Sequence, residues 1–134
     1  MKVDSKYEIS NPTYKQVCSG KSGHVEVLYV ELVNPQMHFE DLVRFFFSFH
    51  DPTETNRQGA DHGPQYASYI FCSDSEQLHL SKMVRDELQE RLDSGMVRCF
   101  RRRRVETKIS MMSIFTEASS WHQEYLVRNP NGYW

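Results

Sequence analysis

The chain has 134 residues, a formal net charge of -2, and 39% hydrophobic, 25% charged and 13% aromatic residues. That is enough chain for one domain with a core, and too apolar for a disordered segment. The near-balanced charge offers no global attraction to nucleic acid or an anionic membrane, and no apolar run reaches the length of a membrane span.

The lead, MKVDSKYEIS, has no apolar h-region of a secretory signal. Asp4 and Glu8 also speak against an acid-poor transit peptide, so a cytoplasmic location is expected. The three cysteines, Cys18, Cys72 and Cys99, form no CxxC pair and suggest no disulfide framework. The six histidines show neither HxxxH nor HExxH spacing, so no zinc site is expected.

Next comes a turn at Asn11-Pro12, with Tyr14 just before Cys18. Lys15 and Lys21 flank that cysteine, but a buried, inert thiol is the plainer expectation. Gly20-Lys21-Ser22 resembles the end of a phosphate loop, yet Lys15 stands where the loop needs a glycine and no strand precedes it. His24 to Leu32 alternates as a strand with two mostly apolar faces, implying cover on both sides. Glu26 would share a face with Leu28, Val30 and Leu32, where poor solvation raises a carboxyl pKa and makes a proton donor. The competing reading is an open strand end with Glu26 merely exposed.

Asn34-Pro35 makes a turn, and Phe39, Leu42, Val43, Phe46 and Phe49 follow helical spacing up to Asp51-Pro52. A polar loop from His50 to Tyr66 follows. Loops of that length in compact domains are either functional or disordered, and its turn-forming residues favour defined structure. Tyr66 to Cys72 reads as a second strand. Ser73 with Glu76 offers a capping box for a helix to about Leu92, with Leu80, Met83, Val84, Leu88 and Leu92 as its apolar stripe. Arg101 to Ile109 is a third strand with a basic, solvated entry; four arginines without interleaved aromatics do not make a nucleic-acid site. A short helix from Ser119 to Val127 and a turn at Asn129 to Gly132 close the chain. The pattern predicts a mixed α/β domain with a thin sheet, under-built at its N-terminal end.

Three blocks are more specific: NPTYKQVCSGKSGHVEV (11–27), FFSFHDPTETNRQGADHGPQYASYIF (46–71) and WHQEYLVRNPNGY (121–133). By these the chain closely resembles the peptide methionine sulfoxide reductase A family, from Asn11 onward. The resemblance implies an α+β sandwich with a mixed sheet flanked by helices, as one domain over 11–134 after a divergent lead at 1–10. It implies reduction of methionine-(S)-sulfoxide, free or in proteins, without metal or bound organic cofactor. The external reductant would be thioredoxin, or dithiothreitol in the test tube, and the protein a monomer. In that family a thiolate attacks the sulfoxide sulfur, the leaving oxygen is protonated, and a second thiol resolves the sulfenic acid. The family's proton-donating glutamate falls on Glu26, its hydrogen-bonding tyrosines on Tyr14 and Tyr66, and its pocket aspartate on Asp61.

The departures are equally specific. The family's nucleophile stands upstream of the NPTY block in a glycine-cysteine-phenylalanine-tryptophan motif, and MKVDSKYEIS occupies its place here. The family's first strand and helix are expected to be missing with it. Trp134 stands where a resolving cysteine is common, and Ala60, Pro64 and Ala67 replace a usual asparagine, small residue and arginine. The expectation is a shortened isoform or incomplete gene model with little turnover of its own. The alternative is a non-catalytic binder of sulfoxide-bearing proteins or a regulator of a full-length enzyme. In a third case, Cys18 or Cys72 substitutes as nucleophile.

Overall fold

A computed structural model describes residues 11–132. The lead at 1–10 and Trp134 therefore lie outside the described residues. Along the chain run α1 (Tyr14–Cys18), α2 (Pro35–Ser48), β1 (Arg57–Gln58) and β2 (Asp61–His62). A 3-10 turn (Pro64–Tyr66) leads into β3 (Tyr69–Cys72), α3 (Ser75–Asp93), β4 (Lys108–Met111) and α4 (Tyr125–Arg128). The architecture is mixed α/β, as expected.

The centre is α2 against α3 with the β3–β4 pair beside them. Val43 and Phe47 of α2 meet Val84 of α3, and Phe39, Phe46, Ile70, Leu88 and Val105 pack around them. β3 and β4 run parallel, with Ile70 opposite Ile109 and Cys72 opposite Met111. A parallel pair needs a long crossover, and α3 supplies it. Helix α2 has Pro35 in its first turn, where the missing N–H costs nothing.

The described sheets are smaller than the sequence predicts. Instead of one three-stranded sheet there are two two-stranded ones, β1–β2 and β3–β4. His24 to Leu32 forms no strand. A strand needs a neighbour for its ladder, and among the described residues this segment's backbone bond to the rest of the fold is Glu26 N–H to Gln65 O at 2.8 Å. Its apolar faces are uncovered: Leu28 is 87% exposed, and Val27, Tyr29 and Val30 are also exposed.

Arg101 to Arg104 are bends, and the strand begins only at Lys108. The physical reason is competition for the backbone. Asp51 accepts from the Arg101 N–H at 3.0 Å, Thr53 Oγ1 from Arg102 at 3.1 Å, and Pro52 O from Glu106 at 2.7 Å. All four guanidinium side chains face solvent.

Smaller corrections follow from local hydrogen bonding. The cap of α3 is Asp74, whose carboxylate accepts from Gln77 N–H at 2.8 Å, while Ser73 bonds the Gln77 side chain instead of boxing with Glu76. Helix α2 stops at Ser48, before Asp51-Pro52, and Phe49 turns outward. The loop after it contains the β1–β2 hairpin, and Tyr66 belongs to the 3-10 turn, so the second strand starts at Tyr69. The expected helix from Ser119 to Val127 is a turn followed by Tyr125–Arg128. Among the described residues no helix is long and apolar enough to cross a membrane.

Candidate active site

Tyr14 opens α1, which a capping box secures: Thr13 Oγ1 accepts from Gln16 N–H at 3.3 Å, and Gln16 Oε1 from Thr13 N–H at 2.8 Å. Cys18 lies one turn further on the same helical face, as side chains at i and i+4 do. Hydrogen bonding to the Cys18 side chain is the first cause that raises the Tyr14 pKa. Negative charge on Cys18, Tyr66 and Glu26 pushes the same way. The opening helix is thus a correction to the expected turn, and Cys18 is exposed, contrary to a buried thiol.

Gln65 joins this helix to the loop. Its Nε2 donates to Cys18 O at 3.2 Å, and its own carbonyl accepts from Glu26 N–H at 2.8 Å. Gln65 is 6% exposed, and two glycines make room for it. A Cβ on Gly63 would stand 2.3 Å from Gln65 Oε1, and its φ of +133° already excludes ordinary side chains. A Cβ on Gly20 would come within 3.1 Å of the same atom.

Tyr66 follows Gln65 directly. Burial raises its pKa first, then the charges of Asp61, Cys18 and Glu26, against a hydrogen bond from Gln65 that lowers it. Asp61 is set by the hairpin, paired with Gln58. The Glu26 carboxyl pKa is raised by desolvation, then by Asp61, and lowered by His122. Glu26 is open at its surface, but the surrounding protein excludes enough water to disfavour its charge. That water exclusion does not come from the strand face expected of Leu28, Val30 and Leu32, because Leu28 and Val30 are exposed and no strand exists there.

Glu26, Tyr14, Tyr66 and Asp61 therefore converge electrostatically from four separate segments, and Cys18 stands among them. Sequence reasoning did not single out His122. The His122 ring stacks on Tyr14, centroids 4.2 Å apart and planes 15° apart, while its charge acts on Glu26. Its signal was its place in the WHQEY block rather than any local spacing. Cys72 stands apart: it is fully buried, 3.6 Å from Ser81 Oγ, and burial pushes its thiol pKa up. It cannot serve as an accessible nucleophile.

Chemically, the site is a set of proton donors. Glu26, Tyr14 and Tyr66 each hold a proton to higher pH than usual, which suits a partner that is an oxygen gaining electrons. Among the described residues no group of three His, Cys, Asp or Glu side chains could hold a metal ion.

A family model described as peptide methionine sulfoxide reductase matches residues 3–134. Peptide methionine sulfoxide reductase MsrA of Ectopseudomonas mendocina is 40% identical over 123 residues, covering 92% of this chain and 54% of that protein. The human mitochondrial peptide methionine sulfoxide reductase is 40% identical over 124 residues, covering 92% of this chain and 51% of that protein. Methionine sulfoxide reductase A of Corynebacterium diphtheriae superposes with a TM-score of 0.77 at 30% identity, over 94% of this chain and 61% of that one. A Saccharomyces cerevisiae protein crystallised in reduced form gives a TM-score of 0.80 at 36% identity, over 97% of this chain and 67% of that one. The chain spans about half the length of the curated relatives it matches. Sequence and fold agree: the chain belongs to the peptide methionine sulfoxide reductase family.

Proposed function

We propose that this chain holds and protonates the oxygen of methionine-(S)-sulfoxide during its thiol-dependent reduction, free or in proteins. The observation that carries the reading is the Glu26 carboxyl, with its raised pKa, in electrostatic contact with Tyr14 and Tyr66. Glu26 is the acid, the two tyrosine hydroxyls donate hydrogen bonds to the oxygen, and Asp61 keeps Glu26 protonated to higher pH. The attacking thiolate forms a bond to the sulfoxide sulfur. Glu26 gives its proton to the oxygen as the S–O bond breaks, the released hydroxide attacks the cysteine sulfur, and the S–S bond breaks to free methionine and leave a sulfenic acid. A dithiol such as thioredoxin or dithiothreitol then reduces the sulfenic acid, releasing water. No metal or organic cofactor takes part. The oxygen-holding set lies in a single domain over 11–134, a monomer acting in the cytoplasm.

The family position of the nucleophile lies upstream of Tyr14, and residues 1–10 contain no cysteine. This chain alone is therefore expected to bind the S epimer with little turnover. Calorimetry with a peptide carrying methionine-(S)-sulfoxide, against its R epimer, reads the oxygen-holding set. Equal heats for both epimers, or heat from neither, would sink the reading. Dithiothreitol-driven methionine formation reads the nucleophile. No product above the protein-free blank agrees with its absence, whereas S-selective turnover abolished by Cys18→Ser would transfer that role to Cys18.

A further inference from the structure

The run Arg101 to Arg104 has no part in the sulfoxide chemistry, yet its backbone is fixed from several sides. Besides Asp51 and Thr53, Gln89 holds it: Nε2 donates to Arg103 O and Oε1 accepts from Val105 N–H, both at 2.8 Å. The arginine side chains thus project from an anchored segment. Arg101 reaches Glu54 at 3.5 Å and Arg104 reaches Glu106 at 3.7 Å. Arg98, Arg102 and Arg103 have no carboxylate partner among the described residues. Arg98 Nε donates to Gly95 O, at 2.9 Å.

These three arginines and Arg101 line a cavity of about 220 Å³, with Leu92, Val97 and Phe100 as apolar wall. Val97 and Phe100 also line a second cavity of about 290 Å³, which continues to Phe47, Val84 and Leu88. Glu87, the carboxylate in that second wall, is already held by Arg44 at 3.0 Å and Arg91 at 2.9 Å. The first cavity is thus a groove that sets arginines beside an apolar wall, and the second adjoins that wall at Val97 and Phe100. Like charges gathered without counter-charge repel one another, and an anion relieves that repulsion. Guanidinium groups match phosphate and carboxylate oxygens in pairs. An exposed ion pair alone contributes little, so an apolar body is needed for useful affinity. Cavities of this size stand at or below the low end of ligand pockets, roughly 300 to 1,000 Å³, which suits one ring or a short chain.

We propose that this groove binds a small amphiphilic anion, its phosphate or carboxylate headgroup on Arg98, Arg102 and Arg103 and its aromatic or short alkyl body over Phe100 and Val97. The groove shares no residue with the Glu26 site, so the proposal stands apart from the sulfoxide chemistry.

Calorimetry on the full chain with phenyl phosphate, inorganic phosphate and benzyl alcohol tests it. Phenyl phosphate should bind at least about tenfold more tightly than inorganic phosphate, with benzyl alcohol silent, since charge and apolar contact are both required. Arg102→Ser with Arg103→Ser should weaken phenyl phosphate about tenfold, and Phe100→Ala should weaken it while leaving inorganic phosphate unchanged. Circular dichroism reports whether each variant keeps the wild-type helix content. Arg102→Lys with Arg103→Lys, which keeps the charge and loses the planar fork, replaces a variant that does not. Equal affinity for the two phosphates, indifference to Phe100→Ala, or no heat with phenyl phosphate would each overturn the proposal. So would pelleting with phosphatidic acid vesicles in the absence of phenyl phosphate binding, which would point to a bilayer instead.

Discussion

The α2–α3 face and the arm from His24 to Val33 carry comparable apolar side chains and use them in opposite ways. On the first, Val43, Phe47 and Val84 are almost fully buried against one another. On the second, Val27, Leu28, Tyr29, Val30 and Val33 remain exposed. The difference lies in partnership rather than hydrophobicity. Two amphipathic helices satisfy their own backbones and need only a facing stripe, whereas an extended segment needs a neighbouring ladder as well. Glu26 sits where the arm makes its backbone contact with the loop, at Gln65. The proposed acid therefore stands at the border between a packed region and an unpacked one.

If that contrast is right, substitutions should scale with partnership. The largest effect is expected from Phe47→Ala, which empties a core position and should cost about 3 to 5 kcal/mol in urea unfolding. A cost below about 1 kcal/mol would mean the helix face is looser than its burial implies.

His50 comes next. Its Nδ1 bonds Phe46 O at 2.6 Å and its Nε2 bonds Ser68 Oγ at 2.8 Å, which in turn meets Thr107 Oγ1 at 2.7 Å. His50→Ala strands these largely buried groups and should cost about 1 to 3 kcal/mol. Burial also lowers the His50 pKa below its unfolded value of 6.5. The neutral ring thus contributes stability that is present above that value and lost as pH falls through the folded pKa. His50→Ala should flatten this slope, and an unchanged pH profile would remove the histidine from the account.

Glu26→Gln should act more gently and with the opposite sign. The wild-type carboxyl has a folded pKa above its unfolded value of 4.5. The wild type therefore loses stability as pH rises through the folded pKa, and the amide does not. The melting temperature of the variant should match the wild type below pH 4.5 and exceed it at pH 8. A less stable variant at pH 8 would mean that the ionised carboxylate is held favourably. The smallest effect belongs to Leu28→Ser, expected within about 0.5 kcal/mol of wild type, because the side chain is already in water. A larger loss would show that the arm is covered in solution.

The helical half of the fold was legible because its information is local. Val43 and Phe46 on α2, and Val84, Leu88 and Leu92 on α3, repeat at helical spacing, and the structure buries or packs them. The sheet was less so. Val25 to Leu32 alternates as a good strand does, but pairing depends on what lies alongside, which no local pattern contains. Arg101 to Val105 failed for a related reason: Asp51, Thr53 and Gln89 hold its backbone from distant positions. Glu26, Tyr14, Tyr66 and Asp61 could be named from their blocks, and each bears on another's charge. His122 and Cys18 could not be tied to them, because a stacked ring and a thiol one helical turn away acquire meaning only once the segments meet.

The parallel pairing of β3 with β4 also governs the order of assembly. Ser68 and Thr107, joined at the start of that pair, are 39 residues apart in the chain. Closing so long a loop costs entropy before any ladder bond repays it, while α3 can form from neighbouring residues alone. The helix should therefore be largely present at the folding barrier and the strand pair should close after it. Destabilising α3 would slow folding, and loosening Ile109 against Ile70 would chiefly quicken unfolding. Stopped-flow kinetics on the two kinds of variant would separate these limbs, and equal effects on folding rate would overturn the order. The strand pair next to the Tyr66 loop would then be the part that sets how long the folded molecule lasts once made.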